Sequence, residues 1–213
     1  MILSPARQSE PTVYAVDDDL FTRTLLEQIF DSAEMPVETF ASAEEFLASY
    51  SPNNCGCLLL DMLMPGMDGL ELQRQLTSRG NNTPVIFLSG ADQISAAVSA
   101  LKAGAVDFIE KPVEPAEILN SVNKAFELDK QLRFKRLQEA EIEHRLTQLT
   151  RRETEVLKWI VRGKSNKLVA RILDISTRTV EVHRRNVLSK MQAESVAELV
   201  QMVMHTEILN DAT

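Results

Sequence analysis

This sequence predicts an α/β domain followed by an all-α domain, from three observations. Short apolar runs alternate with stretches of helical spacing five times in about 115 residues, which is the pattern of a parallel sheet with helical crossovers. Several of those runs are continuous rather than alternating, as strands covered on both faces are. Charge also divides along the chain. Residues 1–130 hold 8 Lys+Arg against 20 Asp+Glu, whereas residues 131–213 hold 15 against 11. Within 145–190 the balance is 12 against 4. An acidic front and a basic rear predict two domains with different partners, and 213 residues suffice for both.

The first strand is Thr12–Val16, ending in Asp17-Asp18-Asp19. Leu20 to Ala33 has helical spacing through Leu25, Leu26, Ile29 and Phe30, and Asp19 suits its N-cap. A short strand over 36–40 follows. Ser42 and Glu45 have capping-box spacing ahead of a helix carrying Phe46 and Leu47. Leu58-Leu59-Leu60 is a third strand that stops abruptly on Asp61. Met64-Pro65-Gly66 turns the chain, and Asp68 caps a helix over Leu70–Leu76. The fourth strand, Val85–Leu88, ends on Ser89. A helix is expected over Ile94–Leu101 with Gly104 as its C-cap. The fifth strand, Val106–Ile109, leads into Glu110-Lys111-Pro112 and a helix from about Pro115.

In an open α/β sheet, function gathers at the carboxyl ends of the strands. Those ends carry Asp17, Asp18, Asp61, Ser89 and Lys111. Crowded carboxylates repel unless they are protonated or neutralised. Mg²⁺ neutralises such a group and keeps waters for phosphate oxygens. A carboxylate can also act as nucleophile and become an aspartyl-phosphate. Asp61, alone on its strand, is placed to attack, and Asp17 and Asp18 to hold the metal. Lys111 would offset charge on the phosphoryl oxygens, and Ser89 would donate a hydrogen bond to one.

The segments VDDD, LLLDMLMPGMDG, FLSG and AGAVDFIEKP resemble the signature segments of response-regulator receiver domains, over about residues 10–128. The resemblance implies a flavodoxin-like, doubly wound (βα)5 fold with phosphorylation at Asp61 and a phosphoryl-contacting Lys111. It implies Mg²⁺ held by Asp17 or Asp18, Asp61 and the backbone carbonyl of Leu63. It also implies that Ser89 and Phe108 reorient together on activation.

Pro115 to about Leu149 has neither Gly nor an internal Pro and is rich in Leu, Glu, Lys, Gln and Arg, without a clean heptad. Two readings stand: a final helix followed by a flexible polar linker, or one continuous helix that spaces or dimerises the two domains. The domain limits expected are 10–128, a helical linker over 129–147, and 148–208.

In the rear domain Thr150 and Glu153 form a capping box, T-R-R-E. Val156, Leu157, Ile160 and Val161 share a helical face that stops at Gly163. A polar turn over Lys164–Lys167, a short helix with Leu168, Val169, Ile172 and Leu173, and a break at Asp174–Ser176 follow. Ser176 caps a helix over Thr177–Met191, and Ser195 caps a last helix over Val196–Met204. Four short helices suit a helix-turn-helix domain with Thr177–Met191 as its recognition helix. Val180, Val187, Leu188 and Met191 can face the core, leaving Arg178, Glu181, Arg184, Arg185 and Lys190 elsewhere. Basic helix side chains neutralise phosphates, Arg reads guanine, and Glu accepts from cytosine.

The segment from Leu149 to Met191 is similar to the LuxR-type helix-turn-helix of the FixJ/NarL response regulators. It implies Glu181, Val182 and Arg185 at base-facing positions, and Lys167, Arg178 and Arg184 near phosphates. His183 is expected as a packing or capping residue. Leu168 and Ala193-Glu194 depart from the family's pattern.

The expectation is therefore a phosphorylation-controlled, sequence-specific transcription factor. Its partners would be a sensor histidine kinase, a double-stranded DNA operator, RNA polymerase, and a second copy of itself on phosphorylation. Two rival classes are weighed. Asp-nucleophile phosphotransferases and phosphatases typically carry a second Asp two residues on, where this chain has Leu63. A rear domain binding protein fits poorly with the basic balance over 145–190. Cys55 and Cys57 lack further ligands nearby and are read as reduced thiols. No apolar run reaches membrane-spanning length, and the N-terminus lacks a signal-peptide pattern, so a cytoplasmic chain with no membrane partner is expected.

Overall fold

The computed structural model describes residues 10–51, 54–90, 104–204 and 206. They divide into two compact units, residues 1–133 and 134–213. The first unit holds a five-stranded parallel sheet in the order β2-β1-β3-β4-β5. Its strands are β1 Thr12–Val16, β2 Val37–Phe40, β3 Gly56–Asp61, β4 Val85–Ser89 and β5 Asp107–Glu110. Each lies within two residues of the run that predicted it. Between and after them run α1 Leu20–Ser32, α2 Ala43–Ser49, α3 Gly69–Ser78 and α4 Pro115–Thr147. The helix expected over Ile94–Leu101 lies outside the described residues.

Side chains on a strand alternate between faces, and both faces are covered. Val13, Ala15, Cys57, Leu59, Ile86 and Leu88 pack with Leu26 and Phe30 of α1 and Ile118 and Val122 of α4. Tyr14, Val16, Leu58, Leu60 and Phe87 pack with Phe46 of α2 and Leu72 and Leu76 of α3. Every residue of β3 is buried, which explains its unbroken apolar run, while the edge strands β2 and β5 are partly exposed.

Local signals set the helix starts. Asp19 accepts from the N–H groups of Phe21 and Thr22, and Asp68 from that of Glu71. Ser42 accepts from Glu45 N–H, but the Glu45 carboxylate reaches back to Ala41 N at 2.7 Å instead of to the cap residue itself. Gly56 has φ +129°, and a Cβ there would lie 1.8 Å from the Thr12 carbonyl oxygen. Its N–H donates to Asp129 Oδ2 of α4 at 3.0 Å, and buried Asp129 is ion-paired with Arg133 Nε at 2.8 Å. The amino end of β3 is thereby tied to α4.

α4 is one helix of 33 residues. In the second unit, Ile142, Leu146 and Leu149 pack against a core that includes Val156, Leu157, Val180, Val187 and Leu199. The helices are α5 Arg151–Ile160, α6 Asn166–Leu173, α7 Thr177–Met191 and α8 Val196–Val203. Thr150 and Glu153 make a reciprocal capping box, and Ser165, Ser176 and Ser195 cap the next three helices. Asp174, in the left-handed region at φ 53°, makes the turn between α6 and α7.

Glu153 does more than cap. Its Oε2 accepts from Lys190 Nζ at 2.7 Å, fastening the start of α5 to the end of α7. Burial pushes its carboxyl up, but the bonds from Lys190 and Thr150 prevail and hold it at about 2 against an ordinary 4.5. A carboxyl depressed by folding stabilises fully above its unfolded value and loses that contribution as pH falls toward its folded value. The contribution is therefore complete above pH 4.5 and fades toward pH 2. Glu153→Gln is expected to cost the second unit about 1–3 kcal/mol at neutral pH and to flatten its acid sensitivity across that window. Urea unfolding followed through Trp159, the chain's single tryptophan, measures both.

Candidate functional site

The strand order puts the carboxyl ends of β1 and β3 side by side, with β5 across β4 from them. Asp17 follows β1 and is buried; its own N–H donates to the Phe40 carbonyl at 3.1 Å. Asp61 closes β3 and is also buried. Lys111 follows β5, its N–H donating to Ser89 O at 2.7 Å, and the Lys111–Pro112 peptide is cis. From there the side chain reaches both carboxylates: Nζ is 2.7 Å from Asp17 Oδ2 and 2.5 Å from Asp61 Oδ1. The outer oxygens have backbone donors. Asp19 N–H gives to Asp17 Oδ1 at 2.9 Å, and Leu63 N–H to Asp61 Oδ2 at 3.0 Å. Arg23 Nη1 donates to the Asp17 main-chain carbonyl at 2.6 Å.

Two carboxylates share one ammonium, so the cluster keeps an excess negative charge. Burial raises the pKa of Asp61; Lys111 opposes the shift, Asp17 adds to it, and the value ends above the ordinary one. For Lys111, burial favours the neutral amine, but the bonds to Asp17 and Asp61 outweigh it and its pKa is raised. The bonds to the two carboxylates hold the ammonium charged, and Lys111 limits the rise at Asp61.

The other predicted residues take different places. Asp18 is exposed, and neither of the Lys111 ion pairs involves it. Leu63 is largely exposed on the loop after β3. Ser89 is buried, its hydroxyl donating to Gly90 O at 3.1 Å. Phe108 is half-buried beside the apolar layer that contains Phe87, its neighbour in register. Among the described residues no three His, Cys, Asp or Glu side chains gather as a metal cluster. The pair Asp17–Asp61 still suits Mg²⁺: both are hard anionic donors converging on one cation, and Mg²⁺ commonly takes one or two carboxylates and keeps its waters.

In the second unit α7 divides by burial. Val180, Val187 and Met191 are inside, and Leu188 is half-buried. Arg178, Glu181, Val182 and Arg185 are exposed, as is Lys167 on α6. Arg184 is half-buried and donates to Asn166 Oδ1 at 3.0 Å, so it braces α7 against the start of α6. His183 is half-buried, with Nδ1 enclosed.

Residues 13–123 match the response regulator receiver domain, and residues 147–203 match the bacterial regulatory proteins of the luxR family. The response regulator protein TodT of Pseudomonas putida is 42% identical over 200 residues, covering 94% of this chain and 87% of TodT. The chain belongs to the response-regulator family. The transcriptional regulatory protein FixJ of Bradyrhizobium diazoefficiens is 38% identical over 93% of this chain and 97% of its own. Among solved structures, the response regulator StyR shares 40% identity at a TM-score of 0.80, over 92% of this chain and 99% of StyR. Full-length FixJ from B. japonicum shares 35% at 0.56, over 97% and 100%.

This response regulator thus joins a receiver domain to a luxR-family DNA-binding domain and is a transcription regulator of the two-component type, not an enzyme. The receiver implies a sensor kinase upstream, and the second domain implies DNA. Receiver domains bind Mg²⁺ at their acidic pocket. No helix among the described residues is long and apolar enough to cross a membrane.

Sequence reasoning missed four supports of this regulator. Arg23 bonds the Asp17 carbonyl, Asp129 holds the start of β3, Lys190 neutralises Glu153, and Arg145 Nη1 donates to the Met191 carbonyl at 3.0 Å. Each spans elements, and only the Arg23 contact had a local signal, an Arg in the first turn of the helix that follows a strand-end Asp.

Gly69 shows how tightly the Asp61 loop is held. A Cβ there would lie 2.3 Å from the Asp61 carbonyl oxygen. Gly69→Ala is expected to destabilise the receiver by about 1–3 kcal/mol, which urea unfolding measures.

Proposed function

We propose that Asp61 is the phosphoacceptor of this receiver, and that its phosphorylation controls dimerisation and sequence-specific DNA binding. The observation that carries this reading is the pair of ion bonds from Lys111 Nζ to Asp17 and Asp61. It gathers a nucleophilic carboxylate, a neutralising cation and a second acidic side chain at one sheet edge. An Asp61 carboxylate oxygen forms a bond to phosphorus while the phosphorus–nitrogen bond to the kinase histidine breaks, the nitrogen keeping the electron pair. Lys111 then turns from the carboxylates to the phosphoryl oxygens. Asp17 or Asp18, Asp61 and the Leu63 carbonyl would hold Mg²⁺, which supplies charge neutralisation for the incoming phosphoryl group. The exposure of Asp18 favours Asp17 as the direct ligand.

The same reading gives Ser89 and Phe108 the role of switch. The hydroxyl of Ser89 moves to a phosphoryl oxygen, and Phe108 fills the vacated space. Pairing of two activated receivers would use the surface from about Asp92 to Ile109, of which 92–103 lie outside the described residues. Residues 10–128 form the receiver in this scheme, 129–147 the helical linker and 148–208 the DNA-binding domain. Glu181, Val182 and Arg185 face bases; Lys167 and Arg178 meet phosphates. Arg184 would bend from Asn166 to reach one. The chain acts in the cytoplasm, with RNA polymerase as its further partner.

Acetyl phosphate with Mg²⁺ is expected to add one acid-labile phosphoryl group to the chain, and Asp61→Asn to abolish it. Intact labelling of Asp61→Asn would refute the assignment. Arg185→Ala is expected to cost about 1–3 kcal/mol of operator binding if Arg185 reads a base, with loss of discrimination at that position. Titration of operator and random DNA at matched salt separates that result from a phosphate contact, which weakens both equally.

A further inference from the structure

From Lys130 to Glu141 no residue of α4 is buried. This stretch is mostly polar, yet Phe134 is 62% exposed and Leu137 70% exposed. Three residues apart, they share one face of the helix. The same face carries Lys130 four residues before Phe134 and Glu141 four residues after Leu137. One step further out it carries Glu127 and His144. The order along the stripe is thus anion, cation, two apolar residues, anion, histidine.

That order is complementary to itself when reversed. Laid antiparallel on a second copy, Phe134 meets the partner's Leu137, Lys130 meets the partner's Glu141, and Glu127 meets the partner's His144. A parallel pair sets Lys130 against Lys130 and Glu141 against Glu141, which repel. We propose that the Phe134–Leu137 stripe is a docking surface for a second copy of this chain, in antiparallel register about a two-fold axis between residues 135 and 136. Glu141 pairs within its own chain with Arg145 at 2.9 Å, but its side chain is half-exposed and its carboxylate can accept from a second cation. With four apolar side chains at its centre the contact is small, and it holds a weak, concentration-dependent pair. It needs no phosphoryl group, which separates it from the receiver-face pairing proposed above.

Sedimentation of the full chain carrying Asp61→Asn, with no phosphodonor, tests it. The parent is expected to self-associate, and adding Phe134→Ser with Leu137→Ser to raise its dissociation constant about tenfold or more. Lys130→Glu and Glu141→Lys are each expected to weaken the pair about two- to fivefold, and together to restore it. All these side chains are exposed, so thermal melting should stay near that of the parent. A parent that stays monomeric at every soluble concentration, serine variants that associate like the parent, or charge reversals that do not rescue each other would overturn the proposal.

Discussion

The receiver depends on one electrostatic constraint: two carboxylates at the mouth of the sheet that cannot both remain buried and charged without a cation. Lys111 meets it, at 2.7 Å from Asp17 and 2.5 Å from Asp61. Parallel pairing brings the ends of β1 and β3 together, so the topology itself produces the repulsion. The lysine comes from the end of β5 and reaches the cluster from beyond β4. A phosphoryl group on Asp61 would replace one carboxylate charge with a larger anion, and Lys111 would have to redistribute. A cluster whose charges depend on one ammonium is suited to sensing that change.

Much of the fold was legible because its signals are local. The apolar runs fixed five strands, and Asp19, Asp68, Thr150, Ser176 and Ser195 marked helix starts that the structure places with them as caps. What was not legible is long-range. The Gly56–Asp129 bond joins residues 73 apart, and the Lys190–Glu153 bond residues 37 apart. Neither partner carries a pattern that names the other. The three consecutive aspartates show the same limit at the site. The sequence says that an acidic residue follows β1, but not which one turns inward: just past the strand Asp17 is buried, while Asp18, in the bend that follows, is exposed. The choice between a broken and a continuous linker was open for a related reason. Helix propensity over 130–149 is high, but no apolar face runs through it; its continuity rests on tertiary anchors at its ends.

Those anchors distribute stability unevenly along α4. Its first turns bury Ile118, Val122 and Ala125, and Asp129 bonds the amino end of β3. Its last turns pack Ile142 and Leu146 into the second core, and Arg145 bonds the end of α7. Between them the helix has only its own backbone bonds and exposed pairs such as Lys135–Glu139 at 3.8 Å, which contribute about 0–1 kcal/mol. Phe134 and Leu137 gain little there for the fold of a single chain, because neither core covers them.

β3 carries the opposite design. It has the proposed nucleophile at one end and the Asp129 tie at the other, and all six of its residues are buried. Gly56 and Gly69 each allow a backbone approach that any side chain would block, at 1.8 and 2.3 Å from a carbonyl oxygen. A strand packed and bonded this closely cannot shift to report a new charge, since packed interiors resist small displacements. Motion has to come from groups with room to move, and at this edge they are Lys111, a quarter exposed, and the half-buried Phe108 on edge strand β5. The rigid strand fixes where a phosphoryl group would appear, and the looser edge beside it is where its appearance would be felt.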